Sequence, residues 1–494
     1  MNSQQAKPPF GPFTTLFVAV LTAAAAGGMG WGIRGQYGHE TGAMIAGALT
    51  SLCMVMLLAP GITTLRAARA AAMMTVAIGI GGQMTYGQTV GLTHDAEVVG
   101  NWEALRWGMI GLAVKGGIWI GFGALFLGMG LGEIEYRARE IVALFVAMMG
   151  LALVGVWIFN TPYDPAAKEL PWIYFSDDWY FEPGRALKPR RETWGGLLVA
   201  LLACGAYTRF VRQDRLAGRM MLIGMVAGGL GFPGGQCVQA SHAWNPEIYS
   251  DGALAEFSEY FQYFNWWNMM ETTFGMIFGG VLAGGLWLNR GLVRGRQSDE
   301  VSIMWPVEIV LLLVHLGLLL GSEFLDTDGL PAGSLLRYVS LYTDHGLLMC
   351  VLPIACIVGG RIWPILLLLP VVTAPIVGKT VRALAYQGDS MTIPESWAYL
   401  IVPMVIMFRV AVYLLQRQKR NPHEASASLA IALAACTICF FGLNTRFFNY
   451  PWPWTEWTGR TPNQIIFGIC AIVLLMAAEI VVARSSRGTH LYAD

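Results

Sequence analysis

The sequence predicts an all-α polytopic integral membrane protein with about 14 transmembrane helices. Three observations indicate this class. Of the 494 residues, 55% are apolar and only 13% are charged, and the mean hydropathy is +0.52, whereas an average soluble domain has about 25% charged residues. The apolar residues form runs near the length of about 20 residues that a helix needs to cross a bilayer. Basic residues collect in every second connection between these runs.

The predicted spans follow one another along the whole chain, and no connection is long enough to hold a soluble domain. The first run ends without a clear small-residue cleavage site, so we expect a retained span and not a signal peptide. In order, the spans are 13–33, 41–60, 66–88, 104–130, 140–159, 194–210, 217–238, 267–289, 303–321, 338–358, 362–379, 395–415, 427–443 and 463–483.

The basic residues also predict the orientation of the chain. Cytoplasmic connections carry an excess of Lys and Arg, so we expect cytoplasmic N- and C-termini and a bacterial inner membrane as the host. The expected partners are membrane lipids and a small-molecule substrate, with no nucleic acid, and the oligomeric state stays open. The basic groups are Lys7, Arg66 and Arg69, Arg137 and Arg139, Arg209 to Arg219, Arg290 to Arg296, Arg361, Arg417 to Arg420, and Arg484 to Arg487.

Similar stretches indicate an internal repeat in the first eight spans. Asn101-Trp102 precedes one Gly-Met-Ile stretch, and Asn265-Trp266 precedes another. Each copy holds four spans, an even number, so the copies should be parallel repeats related by an axis along the membrane normal. The expected divisions are a first four-span repeat at 1–135, a second at 136–297, and a C-terminal six-span region at 298–494 with a hint of a partial third repeat.

A short polar pattern recurs where apolar runs end. Gly87-Gln88 is followed by Thr93-His94, Gly235-Gln236 by Ser241-His242, and Gly35-Gln36 by His39. A glutamine at the end of a span is costly to bury unless something binds it, so the pattern predicts a shared polar site. The residues expected to bind substrate are Arg34, Gln36, His39, Gln88, His94, Gln236, Gln239, His242, Trp244, Asn245 and Asn268.

Ionisable residues within or at the ends of spans are functional candidates, because a charge is costly to bury in lipid. Glu103 and Glu271 occupy nearly matching positions in the two repeats, and His345 beside Asp344 suits a proton carrier. We expect these four residues to couple transport to H⁺ or Na⁺, with no other cofactor. Interhelical packing is the alternative interpretation of each. The other deep ionisable residues include Lys115, Glu308 and His315.

Glycine-rich stretches mark several spans, and Pro233 stands among five glycines in one of them. Small residues let membrane helices pack closely. Proline removes a helix hydrogen bond and frees carbonyls that lipid cannot satisfy. We therefore predict a broken helix lining a cavity at Pro233.

The connections assigned to the outer face hold most of the unusual polar residues. The longest carries Asp177-Asp178 among aromatic residues, which suits sugar binding. The aromatic belt of the membrane interface is the better explanation of single aromatics, but it does not explain the Asp pair. A Zn²⁺ site needs three protein ligands, and three histidines, His39, His94 and His242, could supply them. No two of them share a helix at ligand spacing, so no metal site is expected.

Two classes of function fit these features, and no enzyme motif decides between them. Repeats, a broken helix and charged residues within spans favour a secondary transporter of a small polar solute, a sugar or an organic acid, coupled to an ion or to protons. The crowding of polar residues at the outer face favours an integral-membrane glycosyl- or acyltransferase with an extracytoplasmic active site. Deep charged residues that converge on one cavity would support the transporter, and isolated pairs would support the transferase. We predict the transporter.

Overall fold

The computed structural model describes residues 12–176, 189–293, 299–325, 329–331, 333–388, 391–448 and 456–490. These residues form a bundle of α-helices, and the described ranges contain no β-strand. The predicted fold class, an all-α polytopic membrane protein, is therefore confirmed. Helices satisfy their own backbone hydrogen bonds, as the interior of a bilayer requires.

The described residues form 19 α-helices, several of which are short pieces between longer spans. They are α1 (Pro12–Arg34), α2 (Glu40–Leu58), α3 (Thr64–Ala77), α4 (Gly87–His94), α5 (Trp102–Leu131), α6 (Ala138–Phe159), α7 (Trp194–Ala206), α8 (Arg215–Trp244), α9 (Pro246–Ser250), α10 (Ser258–Phe261), α11 (Trp266–Leu288), α12 (Trp305–Phe324), α13 (Val339–Asp344), α14 (Gly346–Gly359), α15 (Trp363–Leu366), α16 (Val372–Val381), α17 (Ile393–Arg420), α18 (Ala425–Phe447) and α19 (Thr461–His490).

Twelve helical segments of the described chain are long and apolar enough to cross a membrane. A thirteenth span is formed by Leu335–Asp344 and Gly346–Gly359 together, which meet at a bend of 81°. The remaining predicted span, 66–88, is not a single helix. It consists of α3, a 3₁₀ segment over Ile78–Gln83, and α4, which begins only at Gly87.

The break in this span lies at a glycine-rich stretch. Gly82 packs against the turn between α1 and α2, where a Cβ would stand 2.6 Å from main-chain atoms of His39 and Glu40. Only glycine fits at such a distance. Glycine is also about 1 kcal/mol less favourable than alanine in a helix, so Gly79, Gly81 and Gly82 together weaken the helix where α3 ends.

The break predicted at Pro233 is wrong. Helix α8 runs without interruption from Arg215 to Trp244 through this proline. On either side of it, Gly231 and Gly235 pack directly on α11. These contacts hold the helix together where proline removes a backbone hydrogen bond.

Two pairs of helices cross at contacts between glycines. Helices α1 and α11 meet at Gly27 and Gly275, and α5 and α8 meet at Gly116 and Gly228. At each of these four positions a Cβ would clash with the carbonyl group of the opposing glycine. The backbones therefore approach as closely as helices can. We call these four helices, α1, α5, α8 and α11, the glycine core.

The two ends of the bundle differ in chemistry. We call the end at which α1 finishes and α11 begins the polar end, and the end at which α11 and α17 finish the basic end. Helices α5 and α8 have 30 residues each and connect the two ends. The division into repeats at 1–135 and 136–297, with the region 298–494, stays a prediction.

Candidate functional site

A buried ion pair lies where α1 meets α11. The Arg34 guanidinium, at the last residue of α1, stands 2.9 Å from the Glu271 carboxylate on α11, and both side chains have no exposed surface. Two charges removed from water must compensate each other and be fully hydrogen-bonded to be tolerated. A pair of this kind in a membrane protein is a functional candidate by default.

Three further residues complete the hydrogen bonding of this pair. The Tyr86 hydroxyl lies between the two charges, because it accepts from Arg34 and donates to Glu271 over 3.1 Å. Asn268 donates to the other carboxylate oxygen of Glu271 over 3.3 Å. His39 Nδ1 lies 3.2 Å from Arg34 Nη1. We call Arg34, His39, Tyr86, Asn268 and Glu271 the Arg34 centre.

Aromatic rings surround the guanidinium. Its carbon lies 4.8 Å from the Trp31 ring centroid, 5.2 Å from that of Tyr86 and 5.3 Å from that of Trp119. The faces of aromatic rings attract cations, and more strongly when water is excluded. The positive charge of Arg34 is therefore stabilised by ring faces as well as by Glu271.

The Arg34 centre lies deep along the longest helices. Trp119, which faces Arg34, and Phe232, whose ring lies 5.3 Å from that of Tyr86, are each the eighteenth residue of a 30-residue helix. At about 1.5 Å per residue, α5 continues roughly 25 Å beyond this level towards the polar end, and α8 continues roughly 18 Å. The Arg34 centre therefore lies inside the bundle, well below the ends of α5 and α8 at the polar end.

One side of the centre is open. His39 and Gly35 are exposed, and the Lys379 ammonium lies next to Gly38 and donates to the Tyr37 carbonyl over 3.0 Å. Arg34 can only donate hydrogen bonds, so His39 Nδ1 accepts here and carries no proton. The surrounding protein removes most of the water from one side of the His39 ring, and this desolvation lowers the pKa of His39 well below its ordinary value. The positive charges of Arg34, Lys379 and, by a smaller amount, Arg190 lower the pKa further. We infer a neutral imidazole.

Local sequence explains why Asn268 and Glu271 stand at this place. Asn265 caps the start of α11, and its side chain accepts from the Asn268 backbone N–H over 3.0 Å. Asn268 then faces inwards one turn before Glu271. Its side-chain oxygen accepts from Arg460, at the end of the chain's last connection.

A second polar group lies beside the first, on α4 and α8. The Gln236 amide donates to Thr93 over 2.7 Å, and the Trp244 indole donates to the Thr93 carbonyl over 2.8 Å. The side-chain oxygens of Gln236 and Gln239 are buried and have no protein hydrogen-bond donor within the described part of the chain. Buried acceptors of this kind are uncommon, so this group could receive a donor from a ligand or a water.

Helix α4 connects the two groups. Its preceding residue, Tyr86, belongs to the Arg34 centre, and Thr93 near its end bonds Gln236. Trp267 lies alongside, with its ring 6.0 Å from Tyr86 and 6.4 Å from His94. The polar pattern predicted from the sequence therefore includes residues that lie close together.

The remaining predicted binding residues take individual positions at the polar end. Gln36 and Gln88 are half-buried. His94 donates to the Val90 carbonyl of its own helix over 3.0 Å. His242 stacks on Trp266 with ring centroids 4.1 Å apart. In addition, Asn245 donates to Ser241 O over 3.2 Å.

Of the four predicted coupling residues, only Glu271 belongs to the Arg34 centre. Glu103 is exposed in the first turn of α5. Asp344 and His345 are exposed at the 81° bend between α13 and α14. This bend lies beside the broken span, because a Cβ at Gly346 would stand 2.6 Å from the Ile80 main chain.

The deep charged residues outside the Arg34 centre do not converge on one cavity. His315 bonds the Tyr342 hydroxyl over 2.7 Å, and Glu308 lies near the basic end, where it accepts backbone N–H groups. Lys115 forms an ion pair of 2.7 Å with Glu192, and both side chains are 1% exposed. These residues form separate local pairs.

Lys115 also binds three groups besides Glu192. Its ammonium lies 2.6 Å from the Thr85 carbonyl, 2.8 Å from the Thr89 hydroxyl and 3.1 Å from the Ser176 hydroxyl, so that with Glu192 four acceptors surround its three N–H groups. These partners satisfy every donor of the ammonium. The pair therefore fastens the connection between α6 and α7 onto α4 and α5, which is a structural role.

Sequence reasoning missed Tyr86, Trp267 and Arg460. Tyr86 carries a signal that could have been used, since it follows the glycine-rich stretch where α3 breaks. Asp177 and Asp178 lie outside the described residues. Within the described part of the chain, no group of three or more His, Cys, Asp and Glu side chains is arranged to hold a metal ion.

Comparisons with known proteins identify no family. No family model matches the chain, and no curated protein matches it. Among solved structures, a match is a mutant manganese transporter from Eremococcus coleocola, with 11% sequence identity over 100% of this chain and 91% of that chain. Its TM-score is 0.19, which does not establish a common fold.

Proposed function

We propose that this polytopic membrane protein is a secondary transporter of a small polar solute, and that the solute is an organic acid carried together with a proton. The observation that supports this most is the Arg34–Glu271 pair, buried beside a broken span. Secondary transporters bind their substrates at discontinuous helices deep in the membrane. A guanidinium suits a carboxylate, to which it can donate two parallel hydrogen bonds.

Charge balance at the Arg34 centre suggests how a proton would be coupled. Without substrate, Glu271 neutralises Arg34. A substrate carboxylate could take this place only if Glu271 became neutral, because two carboxylates and one guanidinium would leave a buried negative charge. Protonation of Glu271 keeps the net charge of the centre constant. One proton would therefore enter with each carboxylate.

Uptake by the purified protein in liposomes tests this function. With labelled lactate, succinate and glucose as probes, we expect a carboxylate to accumulate when the outside is acidic. Arg34→Gln should abolish uptake. Glu271→Gln should retain exchange of the carboxylate across the membrane but lose accumulation driven by the pH gradient. Glu103→Gln, which changes an exposed carboxylate, is the matched control and should behave as wild type.

The alternative is a membrane transferase acting at the polar end. The observation that favours it is the separation of Lys115, Glu308 and His315 into local pairs instead of one cavity. Product formation from a polyprenyl-phosphate-linked sugar or an acyl donor, with no uptake of any of the three probes, would replace the transporter by this function.

Orientation and location belong to the same proposal. The basic end carries most of the Arg and Lys residues of the connections, so we place it, with both termini, in the cytoplasm of a bacterial inner membrane. The Arg34 centre would then be approached from outside the cell.

A further inference from the structure

A cavity of about 650 Å³ lies at the basic end, on the opposite side of the bundle from the polar groups described above. It is formed by residues 301–305 before and at the start of α12, by residues 361–362 between α14 and α15, and by Lys419 near the end of α17. Ligand pockets in proteins typically have about 300–1,000 Å³, so the cavity is large enough for a ligand.

The walls of this cavity are fixed by hydrogen bonds. One oxygen of the buried Glu308 carboxylate accepts backbone N–H groups of residues 361–363, at 3.0, 2.9 and 3.1 Å. Ser302 and Ile303 both donate their N–H groups to the Gly359 carbonyl, at 2.9 and 3.0 Å. The cavity is thus formed by an ordered turn and not by a loose surface crevice.

The lining combines apolar surface with positive charge. Met304 is 73% exposed and Trp305 is 69% exposed at the start of α12, as expected for side chains at the level where the span enters the lipid. Arg361 and Lys419 are exposed beside them. The acidic residue of the lining, Glu308, is fully buried, with one carboxylate oxygen bound to the turn and the other without a donor among the described residues. Two cations therefore face whatever occupies the cavity.

We propose that this cavity binds an anionic phospholipid, with the headgroup phosphate at Arg361 and Lys419 and the upper acyl chains on Met304 and Trp305. Tryptophan at the start of a transmembrane helix lies at the level of lipid headgroups. Basic pockets between helices on the cytoplasmic side bind anionic headgroups. A soluble phosphate would use the two cations but would leave the exposed apolar surface uncovered, so the lipid is the better match.

Binding of fluorescent phosphatidylglycerol to the detergent-purified full chain tests this site. The competitors are unlabelled phosphatidylglycerol, phosphatidylcholine and glycerol 3-phosphate. The double variant Arg361→Gln/Lys419→Gln should weaken phosphatidylglycerol binding roughly tenfold or more, because both cations that attract the anionic headgroup are removed. The control Arg215→Gln/Arg290→Gln removes the same charge at the same end and should change binding less than about twofold.

A charge-preserving variant keeps this test independent of folding. Arg361→Lys/Lys419→Arg should bind phosphatidylglycerol nearly as wild type does, and melting temperatures should agree among all variants. Equal loss of binding in the control variant, equal competition by phosphatidylcholine, or equal competition by glycerol 3-phosphate would each overturn the lipid site. None of these results depends on transport, so the two proposals can fail separately.

Discussion

At the scale of single residues, Arg34 and Glu271 depend on each other. Either charge alone, at zero exposure, would be a buried ion without compensation, whereas the pair is neutral and shares the Tyr86 hydroxyl. Tyr86 could keep its hydrogen bond to Arg34 when Glu271 is substituted, or to Glu271 when Arg34 is substituted. The stability of the protein should therefore respond to the two residues as a unit.

Substitution of each partner tests this dependence. Arg34→Gln or Glu271→Gln alone should each destabilise the protein by about 3–5 kcal/mol, because removal of one partner strands the other charge. The double variant should be less destabilised than the sum of the single variants. Melting temperatures in one detergent give the comparison, and an additive double variant would contradict the coupling.

His39 provides a prediction about pH. Its lowered pKa keeps the ring neutral as pH falls through the ordinary histidine value of about 6.5. Because His39 stays neutral in the folded protein, the protein loses stability from this residue only below that ordinary value, where the histidine of the unfolded chain takes up a proton. We expect wild type and His39→Gln to share one pH profile of uptake between pH 6.5 and 8. A profile that shifts in the variant would mean that His39 titrates in this range.

The sequence allowed part of the Arg34 centre to be predicted, and the limits have a physical reason. Arg34, His39, Asn268 and Glu271 were identified because polar and charged side chains near span ends are costly wherever they lie. Tyr86 lies within the predicted span 66–88, where a tyrosine is readily accommodated near the membrane interface, and Arg460 lies in a connection, so no such cost marks either residue. Their importance arises only from tertiary packing, which brings together positions far apart in the sequence.

At the scale of helices, glycine positions determine both where helices touch and where one breaks. Gly116 and Gly228 allow α5 and α8 to meet backbone to backbone. Gly82 similarly allows the broken span to lie on the turn after α1. Pro233 misled the prediction because contacts at Gly231 and Gly235 outweigh the lost hydrogen bond, and a single sequence does not show such contacts.

Adjacent glycines of α8 allow a matched test. A Cβ at Gly228 would clash with the Gly116 carbonyl, whereas a Cβ at Gly229 would lie 3.4 Å from the Ala113 carbonyl, an ordinary contact. Gly228→Ala should therefore lower the melting temperature markedly. Gly229→Ala should leave it unchanged or raise it, since alanine favours the helix by about 1 kcal/mol. Equal effects of the two substitutions would exclude the close contact at Gly228.

At the scale of the whole molecule, composition was sufficient to predict the fold class. The low charge content and the lengths of the apolar runs led directly to a polytopic helical bundle, and in the part of the chain that the structure describes 12 or 13 spans meet the criteria of length and apolarity. The predicted count of 14 included the run 66–88. This run is long and apolar enough for a span, but length and apolarity do not show that its glycines interrupt the helix. The division into parallel repeats stays a prediction.

Labelling of introduced cysteines tests the orientation of the molecule. Gln213, between α7 and α8, is exposed near the basic end, and Asp251, between α8 and α11, is exposed at the polar end. In intact cells an impermeant maleimide should label Asp251→Cys and not Gln213→Cys, because the positive-inside rule places the basic end in the cytoplasm. The reverse pattern would invert the proposed direction of uptake. The unsubstituted chain supplies the background from native cysteines, including the exposed Cys237.

The glycine core also determines which parts of the protein can move. Helices joined backbone to backbone cannot slide or rotate against each other without steric overlap, so we expect α1, α5, α8 and α11 to move together. By contrast, only 28% of the span of α12 and 17% of that of α17 are buried in the protein, against 83% for α5. If the protein is the transporter proposed above, we expect α12 and α17, which are little buried, to move relative to these four helices during the cycle.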